Sequence, residues 1–257
     1  MTFAPACSRR VSSDVMPKSA TDTVAELTAS IRNGLRTSPP RDVPAWRVLR
    51  RGWSRELKSC PAVDVIELGL EVMDVTPWGR ITAYEIIACH PGGIEALTPR
   101  FLRRLGRCLA DWGSVDTFAC YLAGPAWREG RVPTRDIHAW LRSADRWQRR
   151  AAVVCTVALN VRARGGRGDT VRTLDVCRRV VADRDDMVVK ALSWALRSLV
   201  EWDPNAVAEF LREHDDVLAA RVKREVGNKL WTGRKNAIAG DRHNNRFQRT
   251  GRGAARR

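Results

Sequence analysis

The chain has 257 residues, an ordinary hydrophobic content of 44%, and a formal net charge of +16 from 45 Lys and Arg against 29 acids. That length and hydrophobicity exclude global disorder, and so large a basic excess calls for a polyanionic partner or a basic tail. Seven scattered cysteines (7, 60, 89, 108, 120, 155 and 177) without a CxxC pair, and four histidines set apart from them, speak against a zinc site or a disulfide framework.

Residues 1–20 mix Ser, Arg and Pro without periodicity, carry +2, and are expected to be a disordered N-terminal segment. From residue 21 onward helical spacing takes over. Ile66, Leu70 and Met73 recur at i, i+4, i+7, and Phe101, Leu105 and Leu109 at i, i+4, i+8. Strand-like alternation is absent. Breakers at Pro61, Pro77–Gly79, His90–Gly93, Gly124–Pro125, Gly165–Gly168 and Asp203–Pro204 are expected to cut residues 21–232 into about a dozen short helices. That stretch keeps +7 of its own, so the folded part is basic as well. The last stretch, 233–257, carries another +7 in an Arg/Gly/Asn-rich sequence and reads as a disordered basic tail. No run of 18 apolar residues occurs, so no membrane span is expected. The scattered cysteines suit a reducing compartment, and the expected location is cytoplasmic, nucleoid-associated through DNA binding.

Within 21–232 four acidic marks recur every 30–40 residues, each between two helical patterns: Leu109-Ala-Asp-Trp112, Ser143-Ala-Asp-Arg-Trp147, Ala182-Asp-Arg-Asp-Asp-Met187 and Glu213-His-Asp-Asp-Val217. That period predicts an all-α fold, an α-solenoid of HEAT- or armadillo-like helical hairpins with a concave DNA-binding face. The residues before about His90 would cap the stack.

Unusual residues gather on the second helix of each hairpin. Trp112 and Asp116 are four apart, Trp147 and Arg150 three apart, and Lys190 and Trp194 four apart. Stacked in parallel, these helices would hold aromatic faces, two cations and one carboxylate on one wall, a set suited to a nucleic-acid backbone. Plainer roles fit the same spacing: Asp116 as a helix cap, the tryptophans as core, and Arg149-Arg150 as a solvated face. The stretch from Arg164 to Gly168 reads either as a phosphate-contacting loop or simply as a connection between repeats.

Three strings, Asp111-Trp-Gly-Ser-Val-Asp116, Asp145-Arg-Trp-Gln-Arg-Arg-Ala-Ala152 and Met187-Val-Val-Lys-Ala-Leu-Ser-Trp-Ala-Leu-Arg197, occur in order. They resemble the DNA alkylation repair family, the HEAT-like repeat alkylpurine DNA glycosylases. The resemblance covers about residues 22–230, while Phe118–Trp127 and the basic tail depart from the family pattern. It implies a metal-independent N-glycosylase, without a cofactor, that releases positively charged N3- and N7-alkylated purines from duplex DNA. It further implies Asp116 as the catalytic carboxylate and Trp112, Arg150 and Trp194 as DNA contacts. Trp147 and Lys190 join these by their place on the same wall, and a monomer is expected. The alternative is a non-catalytic HEAT-like DNA-binding or scaffold protein in which Asp116 is structural.

Overall fold

The computed structural model describes residues 20–236. The expectations for the N-terminal segment and for all but the start of the basic tail fall on residues outside that range. Within it the chain is helical, with no strand among the described residues. The α-helices are α1 (Ala20–Thr37), α2 (Val43–Glu56), α3 (Ala62–Val72), α4 (Pro77–Cys89), α5 (Pro99–Leu105), α6 (Trp112–Phe118) and α7 (Gly124–Arg128). They continue with α8 (Thr134–Leu141), α9 (Arg146–Asn160), α10 (Thr170–Arg179), α11 (Asp186–Leu199), α12 (Pro204–Glu213) and α13 (Ala220–Thr232). No described helix is long and apolar enough to cross a membrane.

Three of the four acidic marks are helix starts. Asp111, Asp145 and Asp185 accept backbone N–H bonds at the N-termini of α6, α9 and α11. Asp42, Thr98, Asp169 and Asp203 do the same for α2, α5, α10 and α12. Each such cap is worth about 1 kcal/mol and fixes where the helix begins. At the fourth mark no side chain caps α13.

The hairpins α3/α4, α8/α9, α10/α11 and α12/α13 follow one another, with α5, which packs on α3, and α6 between the first two. α4, α6, α9, α11 and α13 lie side by side, α4 on α6, α6 on α9, α9 on α11 and α11 on α13. α1 packs on α3 and α2 on α4 at the N-terminal end. The middle of this row is the core: every residue of α9 from Arg150 to Asn160 is buried. Cys120, Cys155 and Cys177 are buried free thiols in the same core.

The expected break at Gly124–Pro125 does not occur. Helix runs from Trp112 to Arg128, with residues Ala119–Ala123 wound as a wider π turn between α6 and α7. Proline in an α-helix lacks the N–H and presses its ring against the carbonyl four residues back, and the wider winding relieves that clash. Gly124 is needed for a different reason. A Cβ there would come within 2.6 Å of the Ala158 Cβ and 2.7 Å of the Cys155 carbonyl, so its absence lets α7 lie directly on α9.

Candidate functional site

Asp116 is the fifth residue of α6, past the reach of a capping position. Asp111 performs the cap, accepting from the Ser114 amide at 2.9 Å and from its hydroxyl at 2.6 Å. The Asp116 carboxylate is thereby left for α9. Arg150 donates from Nε to Oδ1 at 2.9 Å and from Nη2 to Oδ2 at 2.8 Å, a two-point contact. Its Nη1 donates to the Met187 carbonyl at 2.6 Å, in the first turn of α11. One guanidinium therefore joins three neighbouring second helices. The Arg150 side chain is 7% exposed and that of Asp116 17%. Burial pushes the Asp116 carboxyl above the usual range, against the downward pull of Arg150 and, behind it, of Arg164.

The other predicted residues lie on the same three helices. Trp112, one turn before Asp116, is 65% exposed, so the core reading does not describe it. Trp147, one turn before Arg150, is half-buried against the core, with the Arg146 guanidinium 5.0 Å over its ring. Trp194, two turns beyond Met187, is likewise half-buried against the core. Lys190 is paired with Asp186, the first residue of α11, at 2.6 Å. The direct contacts thus bring together Asp116, Arg150 and the start of α11, and the three tryptophans lie one on each of α6, α9 and α11. Among the described residues no group of three His, Cys, Asp or Glu side chains is placed to hold a metal ion.

Near the junction, the sequence shows Arg164 only as part of a loop and does not single out Arg221. Arg164 ends the short turn after α9; its guanidinium lies 4.3 Å over the Tyr121 ring in the π turn, and its Nη1 is buried without a hydrogen-bond partner. Arg221, in the first turn of α13, reaches Asp186 at 3.6 Å. A register signal was present for the rest: the fifth residue after the capping aspartate is Asp116 in α6, Arg150 in α9 and Lys190 in α11. Arg221 lies outside that register because α13 starts without a cap.

The family model described as DNA alkylation repair enzyme matches residues 76–230, from the start of α4 into α13, and so contains every residue named above. No curated protein matches the sequence.

Proposed function

We propose that this chain, which belongs to the DNA alkylation repair enzyme family, is an N-glycosylase that releases positively charged alkylated purines, such as 3-methyladenine and 7-methylguanine, from duplex DNA. The observation that carries the reading is the Asp116–Arg150 pair, set where α6, α9 and α11 meet on the row of second helices.

Ordinary glycoside hydrolysis uses two carboxyl groups because a poor leaving group must be protonated. A purine alkylated at N3 or N7 already carries positive charge and departs as a neutral base. It needs no general acid, and one carboxylate suffices. The species left to stabilise is an oxocarbenium-like sugar. A unit charge pair at ~4 Å in an effective dielectric of ~20 interacts by ~4 kcal/mol, a ceiling of ~10³ in rate. Asp116 supplies that charge and orients the attacking water.

Arg150 keeps the carboxylate in place, since a two-point contact fixes both position and plane. A guanidinium has five N–H donors; three are engaged with Asp116 and Met187, which leaves two for a backbone phosphate. Trp112, open to solvent, packs against the sugar-phosphate of the damaged strand, with Trp147, Trp194 and Lys190 along the same row. The fixed position of these groups lowers the reorganisation needed at the moment of bond breaking.

A second reading is a non-catalytic DNA-binding or scaffold member in which the pair only ties α6 to α9. The closed geometry of the pair favours it, because every contact described above is also what a structural ion pair makes. Release of 3-methyladenine and 7-methylguanine from methylated duplex by the purified protein decides between them. Glycosylase action gives base release that falls in Asp116→Asn; a scaffold gives duplex binding with no release.

A further inference from the structure

Arg221 is the second residue of α13, whose first turn has no acidic residue and no side-chain cap. A cation there stands against the positive end of the helix dipole, a cost of about 0.3–1 kcal/mol. The side chain turns toward α11. Its Nη2 lies 3.6 Å from Asp186 Oδ1 and its Nη1 3.5 Å from Glu225 Oε1. Asp186 immediately precedes Met187, whose carbonyl receives Arg150. Arg221 therefore approaches the residue that adjoins the Asp116–Arg150–Met187 junction.

The two carboxylates that hold Arg221 are outnumbered. Asp186 also pairs with Lys190 at 2.6 Å, and Glu225 has Arg197 at 4.0 Å and Lys235 at 3.7 Å. Four cations thus face two acids. Glu225, on α13, is only 7% exposed and accepts a hydroxyl bond from Ser193 at 2.7 Å, so it is held against α11. Arg221 is 37% exposed, and at 3.5–3.6 Å its contacts are longer than good hydrogen bonds, which leaves its donors available. Arg150, by contrast, spends three donors at 2.6–2.9 Å.

Lys235 arrives at this place by a reversal of the chain. α13 ends at Gly233 in the left-handed conformation (φ 70°), and the following residues fold back so that Asn228 Nδ2 donates to the Lys235 carbonyl at 3.1 Å. The ammonium group then sits 3.7 Å from Glu225 Oε1, the oxygen that Arg221 also approaches.

The geometry points to Arg221, with Lys235 beside it, as a phosphate-binding pair at the α11–α13 step of the wall. They take backbone phosphates of the duplex whose damaged nucleotide lies at Asp116. The identity of the ligand rests on the proposed function; the surplus of available cations does not.

The test is equilibrium binding of an undamaged duplex by the full chain over a range of salt concentrations. A phosphate contact contributes ~0.9 to the slope of log affinity against log salt, so Arg221→Ala with Lys235→Ala lowers the slope by about 2 and weakens binding about tenfold or more at fixed salt. Arg221→Lys, which keeps the charge, retains most of the slope. The control is Arg178→Ala with Arg179→Ala on α10, in the row of first helices, which leaves the slope unchanged. A slope in the Arg221/Lys235 double variant equal to that of the wild type, or of the control, overturns the proposal. A wild-type protein that binds no duplex overturns the DNA reading itself, and one that binds duplex without releasing bases overturns only the glycosylase.

Discussion

Arg150 meets Asp116 edge to edge, both carboxylate oxygens engaged at 2.8–2.9 Å, while the far side of the same guanidinium closes on the Met187 carbonyl. Neither side chain can be altered without leaving the other in a poorly hydrated place. On the proposed mechanism stability and activity are therefore coupled at this pair, and each prediction about it is checked by two measurements.

Asp116→Asn removes the counter-charge of a 7% exposed guanidinium. Unfolding free energy is expected to fall by about 2–4 kcal/mol, since the amide retains one of the two contacts. Excision of 7-methylguanine, corrected for the folded fraction, falls by about one to three powers of ten. Adding Arg150→Gln returns part of the stability and none of the excision. Full activity per folded molecule in the single variant contradicts the assigned role.

Arg150→Lys keeps the charge but cannot span both oxygens of Asp116 and the Met187 carbonyl at once. Single-turnover excision is expected to lie between that of the wild type and that of Arg150→Ala, and duplex binding to follow the same order. Equal rates for the Lys and Ala variants would mean that the charge of Arg150 contributes nothing.

The pH profile follows from the burial of Asp116. A carboxylate must be ionised to stabilise a sugar cation, and burial raises its pKa. Activity is therefore lost, as pH falls, at a higher pH than an exposed aspartate would show. Arg164 pulls in the opposite direction, so Arg164→Gln moves the acid limb further up and leaves the rate near neutral pH largely unchanged. An acid limb that stays in place in Arg164→Gln would show that this guanidinium does not act on Asp116.

Gly124→Ala places a methyl 2.6 Å from the Ala158 Cβ, between α7 and α9. Overpacking of this kind costs about 1–3 kcal/mol, read as a lower melting temperature. Because the π turn joins this contact to α6, excision per folded molecule falls as well. A variant with unchanged melting would mean that α7 and α9 separate freely.

Much of this was legible in the sequence because aspartate before a helix has one strong local use. The marks at Asp111, Asp145 and Asp185 carried both the hairpin period and the register of the wall. Trp112 and Asp116 could be placed on one face by spacing alone. The closure of Asp116 on Arg150 could not: it depends on how far α6 lies from α9, which Gly124 and Ala158 determine by contact across 34 residues of chain. Pro125 misled for a similar reason, since a helix can carry proline through a π turn that no local pattern announces. Arg221 stayed hidden because Asp186, its partner across the helices, lies on another hairpin and its own helix begins without a cap.

The buried cysteines behind the wall take on a further meaning in a protein of this family. Cys120, one turn beyond Asp116, has its thiol pushed by burial up to about 12, and burial raises that of Cys155 well above the usual value. Electrophiles that methylate purines also attack sulfur, and they attack the thiolate far faster than the thiol. Sulfur that is both inaccessible and held protonated gives such reagents nothing to react with. The scaffold beneath Asp116 is thereby protected from the same chemical agents whose lesions it is built to meet.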